Sequence, residues 1–133
     1  MILTHYHHQK DRPFQTLSSL SDAAALTLIS RLQERDGRVY QRFSDPVKYL
    51  CQRRATENWL RDEFVKKGGQ LISKYPQYLV IDRSAWIEEG YYGQSKAVQI
   101  PISTFNQDRV SFRYPDSMIS YWLQSPSLRM CFF

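Results

Sequence analysis

Two helical patterns of apolar and polar positions dominate the first half of the chain. In residues 21–35, Ala25, Leu28, Ile29 and Leu32 recur at i, i+3, i+4 and i+7, opposite Ser30, Arg31, Gln33 and Glu34. That spacing places one apolar stripe along a helix. Ser21 is the expected N-cap, Asp22 sits favourably against the positive N-terminus, and Gly37 falls just past the end. Residues 44–69 predict a longer helix, with Asp45 as N-cap, Pro46 at the first helical position and Gly68 as the left-handed residue that stops it. Its apolar side chains, Val47, Leu50, Cys51, Ala55, Trp59, Leu60, Phe64 and Val65, fall on more than one side. This predicts a central helix, touching another helix on one flank and a sheet on the other. Between the two, residues 39–43 alternate Val39, Gln41 and Phe43 against Tyr40 and Arg42, which predicts a short extended connection.

After Gly68 and Gly69 the period becomes that of strands. Tyr78, Leu79, Val80 and Ile81 form an apolar run between Pro76 and Asp82, the signature of a buried strand. Ser84 caps a helical turn through Trp86 and Ile87, and residues 90–93, GYYG, predict a turn. A second strand is expected over residues 97–102, placed at an edge or ending near Pro101, which cannot donate to a ladder. Residues 109–114 alternate most cleanly, with Val110, Phe112 and Tyr114 on one face and Arg109, Ser111 and Arg113 on the other, and predict a third strand. A short helix over residues 118–124 follows Pro115 and Asp116. The fold class expected is α+β: one domain over residues 1–133, with helices mainly from the first half packed on a small, mainly antiparallel sheet from the second.

Length and composition agree with that picture. A chain of 133 residues, 42% hydrophobic and 14% aromatic, has the size and material for one packed core. Cys51 and Cys131 lie too far apart in sequence to define a short-loop disulfide framework, so free thiols are expected. The N-terminus has only three residues before Thr4 and the histidines, too few for a secretory leader, and no later apolar run approaches membrane-spanning length. These features lead to the expectation of a cytoplasmic protein. The net charge of +5 is uneven: residues 1–67 hold twelve Lys and Arg against eight Asp and Glu, and residues 38–67 alone hold eight against four. The excess lies on the long helix and its approach, which permits an anionic partner such as nucleic acid or a small anionic molecule.

Candidate chemistry lies in three places. On the long helix, Arg54, Glu57 and Arg61 stand at i, i+3 and i+7 with Arg53 beside them. They predict either an ion-pair ladder or an arginine pre-oriented by Glu57 to grip a phosphate or carboxylate. Arg109 and Arg113 share a predicted strand face and, if tyrosines lie nearby, offer an arginine and aromatic mixture suited to single-stranded nucleic acid or a base. His5, His7 and His8 are the third group; in an extended segment His5 and His7 point to one side, and such pairs supply two ligands to a metal that needs others. Catalytic and phosphate-cradling signatures, and with them any cofactor motif, are missing.

The order His5, Tyr6, His7, then a capped helix, then RVYQRFSDP, resembles the start of ADP-ribosyltransferase-like domains, and IPISTFNQDRV resembles the late strand and turn of that fold. The resemblance implies a small nucleotide-dependent transferase or hydrolase using His5, His7 and Arg54; the family's acidic catalytic residue has no matching position, since Glu57 is on a helix and Glu88 and Glu89 fall in a predicted turn. The residues themselves favour a non-enzymatic binding module for an anionic ligand, whether nucleic acid or nucleotide, or for a protein partner. A structural subunit whose Phe132 and Phe133 enter a neighbouring copy is the remaining expectation.

Overall fold

The computed structural model describes residues 1–112. In chain order it places strand β1 at Ile2–His8, helix α1 at Asp22–Leu32, helix α2 at Pro46–Lys66, strand β2 at Val80–Ile81, helix α3 at Ala85–Glu89 and strand β3 at Ser95–Pro101. Four 3-10 turns complete the described residues: Leu17–Ser19, Arg38–Phe43, Ile102–Thr104 and Gln107–Arg109. The architecture is α+β, with both long helices in the first half and a three-stranded antiparallel sheet.

Each helix begins where the capping residues place it. Ser21 accepts from the Ala24 N–H at 3.2 Å, Asp45 from the Lys48 N–H at 3.1 Å, and Ser84 from the Ile87 N–H at 3.3 Å. Pro46 opens α2, where its missing N–H costs nothing. At the other end Gly68 adopts φ 87°, while the N–H groups of Gly68 and Gly69 bond back to the carbonyls of Val65 and Phe64. This Schellman arrangement satisfies carbonyls that the last helical turn leaves open.

The sheet order is β2-β1-β3, so the N-terminal strand is its centre. β1 pairs with β3 from Ile2↔Pro101 to His8↔Ser95, and with β2 at Leu3↔Ile81 and Thr4↔Val80. Pro101 sits at the end of an outer strand, consistent with its missing donor. The strand expected over residues 97–102 is present as β3, whereas the buried strand expected over residues 78–81 is only Val80–Ile81, an outer strand with Tyr78 and Ile81 exposed; both pair with an extended N-terminal segment whose histidines disguise a central strand. Leu3 and Thr4 are both buried, as expected for a middle strand covered on two faces.

Three expectations are corrected. Residues 39–43 lie within the 3-10 turn Arg38–Phe43, because i and i+3 side chains eclipse in that geometry and this carries Tyr40 and Phe43 into the core together. Arg109 ends a second 3-10 turn and residues 110–112 join no strand; the Arg109 N–H bonds the Asn106 carbonyl and the Val110 N–H the Gln107 carbonyl. Among the described residues no strand pairs with this segment to realise its alternation. Arg113, the helix at 118–124, Cys131, Phe132 and Phe133 lie outside the described residues. Thirdly, α2 buries one stripe, Tyr49, Leu50, Thr56, Glu57, Leu60 and Phe64, while Val47, Cys51 and Val65 are exposed. Its buried positions include a threonine and a carboxylate, which a count of apolar residues passes over.

The core joins Leu17, Ala25, Ile29, Tyr40, Phe43, Tyr49 and Leu50, with Leu28 and Leu32 of the predicted α1 stripe packed against it. Phe43 meets Tyr49 edge-on with ring centroids 4.9 Å apart, and Tyr40 meets Tyr91 likewise at 6.0 Å. No helix among the described residues is long and apolar enough to cross a membrane.

Candidate anion-binding cleft

One face of α2 carries Arg54, Glu57, Asn58 and Arg61 at i, i+3, i+4 and i+7, so they line up along the helix. The chain returns past this face after the Gly68–Gly69 stop, placing Lys74 and Tyr75 opposite. Together these six residues enclose a cleft of about 290 Å³. Below it lies a buried polar network. Arg53, with 15% of its side chain exposed, donates from Nε to Ser18 Oγ at 2.9 Å, from Nη1 to the Tyr49 hydroxyl at 3.0 Å, and from Nη2 to Thr16 Oγ1 at 3.2 Å. Glu57, 6% exposed, faces Arg53 Nε at 3.2 Å and accepts from the Tyr78 hydroxyl at 3.2 Å. Burial, reinforced by the Glu57 charge, pushes the Tyr78 phenol well above its ordinary range, so it stays a donor.

The four candidate residues of the helix thus divide into distinct tasks. Glu57 pairs with Arg53 one turn earlier, and the pair ties α2 to residues 16–18. Arg54 reaches the start of α1: Nε donates to Asp22 at 2.9 Å, Nη1 to the Ser18 carbonyl at 3.2 Å and Nη2 to the Leu20 carbonyl at 2.9 Å. Arg61 makes one hydrogen bond, from Nη2 to Asn58 Oδ1 at 3.2 Å, and has no acidic partner among the described residues. Lys74 has none either; its ammonium lies 5.7 Å from the centre of the Tyr75 ring. Arg61 and Lys74 are therefore the cations of the cleft whose donors remain available.

Arg109 is elsewhere. Its turn accepts the Gln70 N–H through the Asp108 carbonyl at 2.8 Å, and the Arg109 Nε is buried without a hydrogen-bond partner among the described residues. Tyr40 and Tyr91 pack against each other, and Tyr40 belongs to the core.

The histidines are spent on the fold. The Phe14 N–H donates to His5 Nε2 at 3.0 Å, which leaves the ring hydrogen on Nδ1, facing the Tyr78 carbonyl at 3.3 Å. The His5 ring stacks on Phe14 with centroids 4.4 Å apart. His7 Nδ1 lies 3.0 Å from the carbonyls of both His8 and Asp11. His8 accepts the Lys10 N–H at Nδ1 and donates from Nε2 to Gln94 at 2.7 Å. With its lone pair occupied, His5 has no nitrogen free for a metal, and no group of three or more potential ligands gathers among the described residues. Neither His5 nor His7 lines the cleft.

The helical spacing brings Arg54, Glu57 and Arg61 together, and Asn58 was readable from the same i+4 relation. Lys74 and Tyr75 carried no signal, because a residue in an irregular segment acquires its neighbours only when the chain folds back. The fold and cleft define a small α+β domain with a cationic concavity on its longest helix. The chain matches no protein-family model, no curated protein and no solved structure.

Proposed function

We propose that the chain is a small cytoplasmic binding module that holds an anionic ligand in the cleft between α2 and residues 74–75. The observation that carries this reading is the convergence of Arg61 and Lys74 on one concavity while the neighbouring charges, Arg53 with Glu57 and Arg54 with Asp22, offset each other. Guanidinium and ammonium donors without a carboxylate partner are met in a folded protein by water or by an anion. A concave setting with low-dielectric walls favours the anion over bulk solvent.

Binding of fluorescein-labelled RNA, DNA and free nucleotides, followed by anisotropy and calorimetry between 20 and about 300 mM salt, tests the reading. Affinity falls steeply with salt, and Arg61→Gln and Lys74→Gln each weaken it about tenfold without lowering stability by more than about 0.5 kcal/mol. Salt-insensitive binding, or none to any of these anions, removes the proposal. Arg54→Ala is not an equivalent test, since Arg54 holds the α1–α2 junction.

A further inference from the structure

The proposed anion site carries a more specific preference, which rests on that reading. We infer that the cleft selects the terminal phosphate of a small phosphomonoester over the internal phosphate of a diester. The argument begins with charge. Of the ionic side chains lining the cleft, Arg54 is offset by Asp22 and Glu57 by Arg53, leaving Arg61 and Lys74 as two positive charges without an acidic partner among the described residues. A phosphomonoester carries nearly two negative charges at neutral pH, with a second pKa near 6 and three unesterified oxygens, whereas a diester carries one charge and two such oxygens.

The donors agree with the charge. Arg61 has one N–H committed to Asn58 Oδ1, so most of its guanidinium fork remains. The same bond occupies the acceptor end of the Asn58 amide and leaves its NH2 as a further donor at the cleft. Lys74 adds three ammonium hydrogens. This donor-rich rim fits a group that offers three acceptor oxygens better than one that offers two.

Size and the remaining wall act against a polymer. A volume of about 290 Å³ lies at the small end of ligand pockets and seats one phosphoryl group with a sugar-sized fragment. The Glu57 carboxylate lines the same space, and its hydrogen bond and ion pair both converge on Oε1. A strand of phosphodiesters running through the cleft brings more than one phosphate to a space that fits a single phosphoryl group, whereas an end group brings one.

Calorimetry of the full chain with AMP, 3′,5′-cyclic AMP and adenosine at low salt and pH 7.5 tests the preference, because the three share one nucleoside and differ in phosphate ester. The expected result is AMP binding at least tenfold tighter than cyclic AMP, no measurable adenosine binding, and loss of the AMP advantage as pH falls below 6 and the phosphate gains its proton. Arg61→Gln and Lys74→Gln should each reduce the ratio between AMP and cyclic AMP. Equal, salt-dependent affinity for AMP and cyclic AMP overturns the monoester preference while leaving an anion site in place. Failure of AMP, cyclic AMP and oligonucleotides alike to bind overturns both the preference and the reading beneath it. The ligand comparison needs no variant, so the outcome does not depend on how a substituted chain folds.

Discussion

Arg53 and Arg61 are the same residue type on the same helix, and their surroundings make opposite demands on them. Arg53 is buried and donates to Ser18, Tyr49 and Thr16 beside the Glu57 carboxylate, so removing it takes a partner from three hydroxyls and leaves a carboxylate in the protein interior. A buried ion pair contributes little net stability when intact, yet breaking it by deleting one partner costs about 3–5 kcal/mol. Arg53→Met is therefore expected to destabilise the fold by about 3 kcal/mol or more, read from the urea midpoint. A loss below about 1 kcal/mol shows that Glu57 has found water or another partner. Arg61→Gln, at a half-buried site with one hydrogen bond, is expected to leave the midpoint nearly unchanged; the effect expected from the proposed anion site is on ligand affinity instead. Sequence spacing placed these arginines on one helix; it had no means of ranking them, since burial depends on which segment crosses the helix.

At the scale of elements, caps and stops were legible and connections were not. Ser21, Asp45, Ser84 and the Gly68–Gly69 pair work locally, through hydrogen bonds to residues within a few positions, so their roles appear in the sequence itself. The junction after α1 follows a different logic. Gly37 adopts φ 140°, and an added Cβ would stand 2.8 Å from the Gly90 carbonyl oxygen and 3.1 Å from the Tyr40 ring. Gly37→Ala is expected to cost about 2–3 kcal/mol in chemical denaturation. Gly37 was expected just past the end of α1, but α1 ends at Leu32 with Gln33 as its C-cap, and the crowding from the residue that follows α3 left no mark in the sequence. β1 shows a further dependence on contacts between elements. Burial holds the His5 imidazole below its ordinary 6.5, with His7 adding to the effect and the Tyr78 carbonyl opposing it. The unfolded chain then binds the proton more readily than the folded one. The contribution of His5 is whole above pH 6.5 and is lost as pH falls through the lower folded value. Protonation also turns Nε2 into a donor facing the Phe14 N–H, at a Phe14 already held at φ 60°. Urea midpoints measured from pH 7.5 down to about 5 should decline, and His5→Gln should flatten that slope. A wild-type slope equal to that of the variant assigns the loss to other groups.

For the whole molecule, the prediction with the widest reach is that anion affinity depends on salt and on the ester state of the phosphate, because both follow from net charge in one concavity rather than from any single contact. The 3.6-residue and two-residue periodicities, the capping residues and the uneven charge established the α+β class, three helix starts, the strand regions around residues 80 and 97–101, and the basic character of α2. These rest on interactions between residues close in sequence, or on burial of one face, and both leave a repeating mark. Tertiary structure decided the rest. It made the histidine-rich N-terminus the central strand, turned residues 38–43 and 107–109 into 3-10 turns, drew Arg53 and Glu57 into the interior, and set Lys74 and Tyr75 across from Arg61. For the central strand, the buried pair and the cleft the physical reason is the same: pairing, burial of a charge and closure of a cleft are made by segments distant along the chain, and no local pattern records which segments meet.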